Sequence, residues 1–156
     1  MKVIGVDPAI RENGQAICIL DTMTKKLEFI KFKQFVDFLK YIMNIDTNED
    51  YFFIIEDSSM QKVTFIKGYN NNVQSSISRR VGMNQAASII TKQWINANHY
   101  KHICVSPLQK GGKWSKQYML AVLKAENYIN DVPFIKITQD MIDAFTLVFK
   151  FKPKSL

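Results

Sequence analysis

Val3-Ile4-Gly5-Val6-Asp7-Pro8, near the head of the chain, reads as a buried strand that runs out on an acid and a turn residue. Gly14 to Leu20 reads as a second strand, joined to the first through the turn around Pro8 to Asn13. Leu27 to Phe32 is a third, after the turn Asp21-Thr22-Met23-Thr24. Three short strands with tight connections predict an antiparallel meander. Phe32, Phe35, Val36, Phe38, Leu39 and Ile42 then recur at helical spacing, which predicts a helix over Lys33 to Met43. Tyr51 to Glu56 is a continuous apolar run ending in acids, as suits a central strand buried on both faces.

Beyond it, the polar stretch from Asp57 to Ser78 reads as a long functional loop. Arg80 to Ala97 carries Gly82, Ala86, Ile89, Ile90 and Trp94 at helical positions, and Ile103 to Val105 is a short strand ending near Pro107. Ser115 to Ala125 reads as a helix after the Gly111-Gly112 turn. Thr138 is placed to cap a last helix over Asp140 to Phe149. A meander followed by strands separated by helices implies an α/β fold, with a five-stranded mixed sheet and helices on both faces. No repeat, low-complexity tract or linker interrupts residues 1–156, which read as one domain.

Composition narrows the function. Of the 156 residues 47% are hydrophobic and 22% charged, a globular balance that argues against disorder. No apolar run approaches the ~20 residues that span a bilayer, and the first residues lack the pattern of a secretory signal. An intracellular, cytoplasmic protein without a membrane partner is expected. Cys18 and Cys104, 86 positions apart in apolar runs, read as reduced core residues, and His99 and His102 as surface residues.

The net charge of +7 is unevenly spread. Ser58 to Ala125 contains no Asp or Glu but carries Lys62, Lys67, Arg79, Arg80, Lys92, Lys101, Lys110, Lys113, Lys116 and Lys124. Solvated faces usually mix signs, so an acid-free stretch of 68 residues points to a polyanionic partner. Each Lys or Arg near a phosphate releases condensed counterions. Lys62, Lys67, Arg79, Arg80 and Lys113 are the candidate DNA-binding residues.

Against this basic middle stand four acids. Asp7 closes the first strand and Glu56 the central one; if those strands are parallel neighbours, both side chains emerge at one carboxyl edge. Only one of Glu56 and its neighbour Asp57 can point into such a site. Asp140 and Asp143 lie at i and i+3 on the last helix, hence on one face. Singly, each acid has a plainer role as a turn, cap or helix-dipole residue. Clustered, four like charges require divalent cations, and hard oxygen ligands favour Mg²⁺, with Mn²⁺ substituting. Two such ions about 4 Å apart can activate a water, hold a phosphate and stabilise a leaving 3′-oxygen.

The motifs resemble those of the RuvC-type Holliday-junction resolvases of the ribonuclease-H-like superfamily. Val3 to Pro8, followed by Arg11 and Gly14, is similar to that family's opening strand, with Ala9 where a Gly is usual. Ile54-Ile55-Glu56 resembles its second motif and Gln139-Asp140-Met141-Ile142-Asp143-Ala144 its last. Gly82 with Ala86-Ala87 resembles the small-residue helix through which these enzymes dimerise. Pro107 to Lys110, a Gly turn and Lys116 resemble the stretch holding two active-site lysines.

The resemblance implies a ribonuclease-H-like fold, a homodimer, no nucleotide cofactor, and Mg²⁺-dependent cleavage of four-way and other branched DNA in recombination and repair. It implies that Asp7, Glu56, Asp140 and Asp143 are the metal-binding acids, with Lys110 and Lys116 near the cleaved phosphate. A generic basic surface is the plainer role for those two lysines. The bacterial enzymes place an aromatic after the second motif to pry the junction open. Here the stretch reads Asp57-Ser58-Ser59-Met60, and Met60 or Phe65 stands in its place. The loop from Met60 to Ser78 is longer than in the family and the Lys110–Lys116 segment shorter, which points to relaxed specificity. The short Lys- and Asn-rich chain suggests a phage-encoded member.

The rival readings are a less selective structure-directed nuclease and a branched-DNA-binding protein without physiological cleavage. Actin-like ATPases share the superfamily's fold, but this chain shows no second Gly-rich phosphate loop. Retroviral-type integrases carry their acids in a different order.

Overall fold

The computed structural model describes residues 1–46, 48–61 and 70–153. The elements run β1 (Lys2–Val6), β2 (Gln15–Asp21), β3 (Lys26–Phe32), α1 (Phe35–Met43), β4 (Tyr51–Glu56), α2 (Asn71–Ala97), β5 (Lys101–Val105), α3 (Pro107–Lys110), α4 (Lys116–Ala125), β6 (Ile129–Asn130) and α5 (Gln139–Phe151). They form one mixed sheet in the order β5-β4-β1-β2-β3-β6. β1, β2 and β3 pair antiparallel, the expected meander, whereas β4 lies parallel to β1 and β5 parallel to β4. A parallel neighbour needs a crossover, and α1 and α2 supply those before β4 and β5.

Apolar side chains cover both faces. Val3, Cys18, Leu20 and Ile54 pack against Met119 and Leu123 of α4 and against Ile142, Phe145 and Val148 of α5. On the other face Ile4, Val6, Ile17, Phe53 and Ile55 pack against Phe38 and Ile42 of α1 and Ile95 of α2. α5 is buried without a break from Met141 to Val148, so it is the central helix of its layer. β1 leaves room for it at Gly5, where a Cβ would run into the carbonyl oxygen of Ala144. Cys18 and Cys104 are free thiols; Cys18 is buried in the core as expected, whereas Cys104 is only half-buried at the edge of its cluster. No helix among the described residues is long and apolar enough to cross a membrane.

Three details differ from the sequence reading. Among the described residues the sheet has six strands, not five, because Ile129–Asn130 pairs with Lys26 and Leu27. Two residues are too few to show a period. α2 begins at Asn71, so the expected Asp57–Ser78 loop is mostly shorter. Its first turn is capped by Asn70, whose Oδ1 accepts from Val73 N at 3.0 Å. Asn71 to Ser78 is almost wholly polar and exposed, so neither propensity nor apolar spacing announces the helix there. Ser58–Met60 forms a 3₁₀ turn after β4, and Lys62, Phe65 and Lys67 lie outside the described residues.

Candidate active site

Strand alternation sorts the acids. Val3 faces α4 and α5 while Ile4 and Val6 face α1 and α2, so Asp7, continuing the Val3–Gly5 side, emerges toward α5. β4 runs in register beside β1, Gly5 against Ile54, and Ile54 faces α5. Glu56 therefore emerges beside Asp7 at the carboxyl ends of two parallel strands. Asp57 turns the other way, where its buried carboxylate pairs with Lys92 of α2 at 2.6 Å and accepts from Ser59 N at 3.0 Å. Burial pushes the Asp57 carboxyl up, but the Lys92 and Ser59 hydrogen bonds outweigh it and hold it below the usual range.

From α5, Asp143 completes a trio around the ammonium of Lys110. Lys110 Nζ lies 2.9 Å from Asp7 Oδ2 and 3.8 Å from Asp143 Oδ1, and it pairs closely with Glu56 Oε2. The lysine is delivered by the single turn of α3. There Pro107 fills the first position, Gln109 N donates to Ser106 Oγ at 3.3 Å, and Ser106 N donates to Gln109 Oε1 at 2.9 Å. Its backbone carbonyl accepts from Lys150 Nζ. Gln139, one turn before Asp143, donates to Asp143 Oδ1 at 3.2 Å. Asp140 lines the same cleft without reaching Lys110; its Oδ1 accepts from Arg11 Nη2 at 2.6 Å. Arg11 projects from the β1–β2 loop, which buried Gln15 braces by accepting from Ala9 N at 2.9 Å.

Three carboxylates around one ammonium leave the trio two charges negative when all are ionised. Burial, then repulsion from Asp7, raises the Glu56 carboxyl above its ordinary range despite Lys110. Burial likewise raises Asp143. Burial alone would lower Lys110, but Asp7, Glu56 and Asp143 outweigh it and keep its ammonium charged well above the ordinary lysine range.

The trio sits in a cleft of about 780 Å³ whose walls also include Arg11, Arg79, Arg80 and Lys113. Lys116 does not line it; its Nζ lies 5.3 Å from the Phe134 ring centroid. The acid-free stretch of sequence is not acid-free in space, because Lys92, Lys101 and Lys110 are spent on Asp57, Asp50 and the trio. Met60, about half exposed, ends the 3₁₀ turn after β4. Sequence reading missed the parts of Gln139 and Lys150, and although it placed Arg11 in a motif it did not pair it with Asp140. Gln139 and Asp143 are i and i+4 on one helix, a visible signal. Arg11 and Asp140, 129 positions apart, carry none.

The donor chemistry fits a hard divalent cation. All three converging groups are carboxylates, and buried Glu56 Oε2 has the Lys110 ammonium as its charge partner. Yet among the described residues no three acidic, imidazole or thiol groups stand as a ready-made metal cage, since Lys110 holds the space between them.

No protein-family model and no curated protein matches the chain. Solved structures do. The sheet and its flanking helices are a ribonuclease-H-like fold. One structure that shares it is "T. thermophilus RuvC in complex with Holliday junction substrate", at TM-score 0.51 and 14% identity, over 94% of this chain and 90% of that one.

Arg79 and Arg80 are exposed on the first half of α2 and line the cleft. A DNA-binding role for the cleft predicts that replacing both with Ala weakens linear and branched DNA binding alike and flattens the salt dependence by roughly one to two units of slope. Filter-binding titrations across salt concentrations measure this; an unchanged slope would remove the two arginines from the DNA contact.

Proposed function

We propose that the chain is a divalent-metal-dependent endonuclease that cuts four-way and other branched DNA as a homodimer. The observation that carries this reading is the convergence of Asp7, Glu56 and Asp143, from two parallel strands and one helix, in a cleft that also presents Arg79, Arg80 and Lys113. Asp7, Glu56 and Asp143 would hold Mg²⁺ or Mn²⁺, with Asp140 beside them. When bound, such ions activate a water against the phosphodiester and stabilise the leaving 3′-oxygen. The protein's own groups position the rest. Gln139 orients Asp143, Arg11 orients Asp140, and the cleft's arginines and Lys113 grip phosphates on either side of the acids.

The junction-bound state of the T. thermophilus RuvC structure supports branched DNA as the substrate class. Paired nicks across a junction call for two sites related by a twofold axis. The face of α2 that carries Gly82 and Ile89, seven positions apart, suits that contact: Ile89 is exposed and Gly82 has open space above it. Residues 1–156 then act as one nuclease domain in the cytoplasm of a bacterial cell, encoded by a phage.

One observation favours a second reading, a junction-binding protein without cleavage: Lys110 already neutralises part of the acid trio. A panel of four-way junction, flap, fork, single strand and linear duplex, incubated with Mg²⁺, separates the readings. Nicks in the branched substrates, with linear duplex spared, are expected. Equal cutting of linear duplex would sink the branch selectivity, and binding without any nick would favour the second reading.

A further inference from the structure

Lys110 is an unusual neighbour for a set of metal-binding acids. Its side chain is only 8% exposed, and its ammonium meets Asp7, Glu56 and Asp143 at once. A lysine is seldom buried this far unless acids pair with it. The space it fills lies between the carboxylates that would hold a divalent cation. A divalent cation bound to these same carboxylate oxygens needs the position that the ammonium now holds.

The backbone around Lys110 suits a side chain that moves while its main chain stays. The Lys110 carbonyl is held by Lys150 and the α3 turn is locked by the Ser106–Gln109 pair. The flexible four-carbon stem opens onto the same cleft as Arg79, Arg80 and Lys113, so a route outward exists.

We propose that Lys110 is a built-in counter-cation: its ammonium neutralises Asp7, Glu56 and Asp143 in the metal-free protein, and an arriving divalent cation displaces it into the cleft. This rests on the metal-dependent reading above. Lys110 thereby keeps a buried cluster of acids stable before metal binds, at the cost of metal affinity. Once displaced, it adds a positive charge to a cleft that already presents three others toward phosphate.

The test uses Mn²⁺ alone as the probe, without DNA. Mn²⁺ affinity is measured by the paramagnetic resonance signal of the free ion, for wild type and Lys110→Met. Removing the competing ammonium is expected to tighten Mn²⁺ binding by roughly tenfold or more. Because Lys110→Met strips Asp7, Glu56 and Asp143 of their shared counter-charge and can fail to fold without metal, a second measurement uses the wild type only. Mass spectrometry follows acylation of Lys110 by an amine-reactive reagent, with exposed Lys124 as the internal reference. Mn²⁺ is expected to raise Lys110 labelling several-fold relative to Lys124. Equal Mn²⁺ affinity in both proteins, or labelling unmoved at saturating Mn²⁺, overturns this inference while leaving the metal-dependent reading standing. Failure of the wild type to take up Mn²⁺ overturns both.

Discussion

Asp7→Asn is expected to lower single-turnover cleavage of a four-way junction by at least about 10²–10³-fold, the scale seen when one group serving the developing charge is removed. Asparagine keeps the size of Asp7 and can still accept from Lys110 Nζ, which stands 2.9 Å from Oδ2. It removes a charge that a hard cation needs. The remaining pair of Glu56 and Asp143 still holds Lys110, so the thermal midpoint should stay within a few degrees. Junction affinity in EDTA should hold or tighten, because one repulsion between carboxylate and phosphate is gone. A structural role for Asp7 predicts the reverse: lower stability or binding, with cleavage falling only in proportion.

Gly5→Val is expected to cost at least about 3 kcal/mol of stability, at the upper end of core overpacking. A side chain here meets backbone: its Cβ would overlap the Ala144 carbonyl oxygen and come within 2.8 Å of Val148 Cγ2. A side chain can turn aside, but the carbonyl of a buried helix cannot. Either β1 or α5 must shift, so the melting point should fall by on the order of 10 °C. Asp7 is two residues beyond Gly5, and Asp143 precedes Ala144, so cleavage should fall with it. Gly112→Ala, with open space around the glycine, should stay within about 0.5 kcal/mol of wild type. Denaturant titration of both variants decides; a Gly5→Val midpoint near wild type would mean that α5 does not cross β1 so closely.

The ribonuclease-H-like fold was legible because its determinants are periodic. β1 and β2 are short apolar runs bounded by turns, β3 alternates, α1 repeats its apolar face, and β4 is an unbroken apolar run. What escaped is what carries no period. β6 has two residues, and the first two turns of α2 are polar and extend from a better-packed helix. At the candidate site the ambiguity between Glu56 and Asp57 needed the partner strand. Only the pairing of Gly5 with Ile54 shows which of the two lies on the side of Asp7.

Charge is sorted by space rather than by sequence. Ten basic residues without an acid in sequence point to a polyanionic partner but do not say which of them meet it. In the structure Lys92, Lys101 and Lys110 are neutralised by acids distant in the chain, and Lys116 turns to Phe134 outside the cleft. Arg79, Arg80 and Lys113 line it together with Lys110. Coulomb pairing acts through space, so a run of one sign in sequence fixes neither exposure nor direction.

The central claim is that the acids of this cleft serve metal-dependent cutting of branched DNA, and one measurement reaches it most directly. A synthetic four-way junction, end-labelled on each strand in turn, is incubated with the wild-type protein in Mg²⁺ and in EDTA, and the products are mapped on all four strands. The account predicts paired nicks on opposing strands near the branch point in Mg²⁺ and none in EDTA, with the junction bound in both. Tight junction binding with no nick in Mg²⁺, or nicks of equal yield in EDTA, would contradict it.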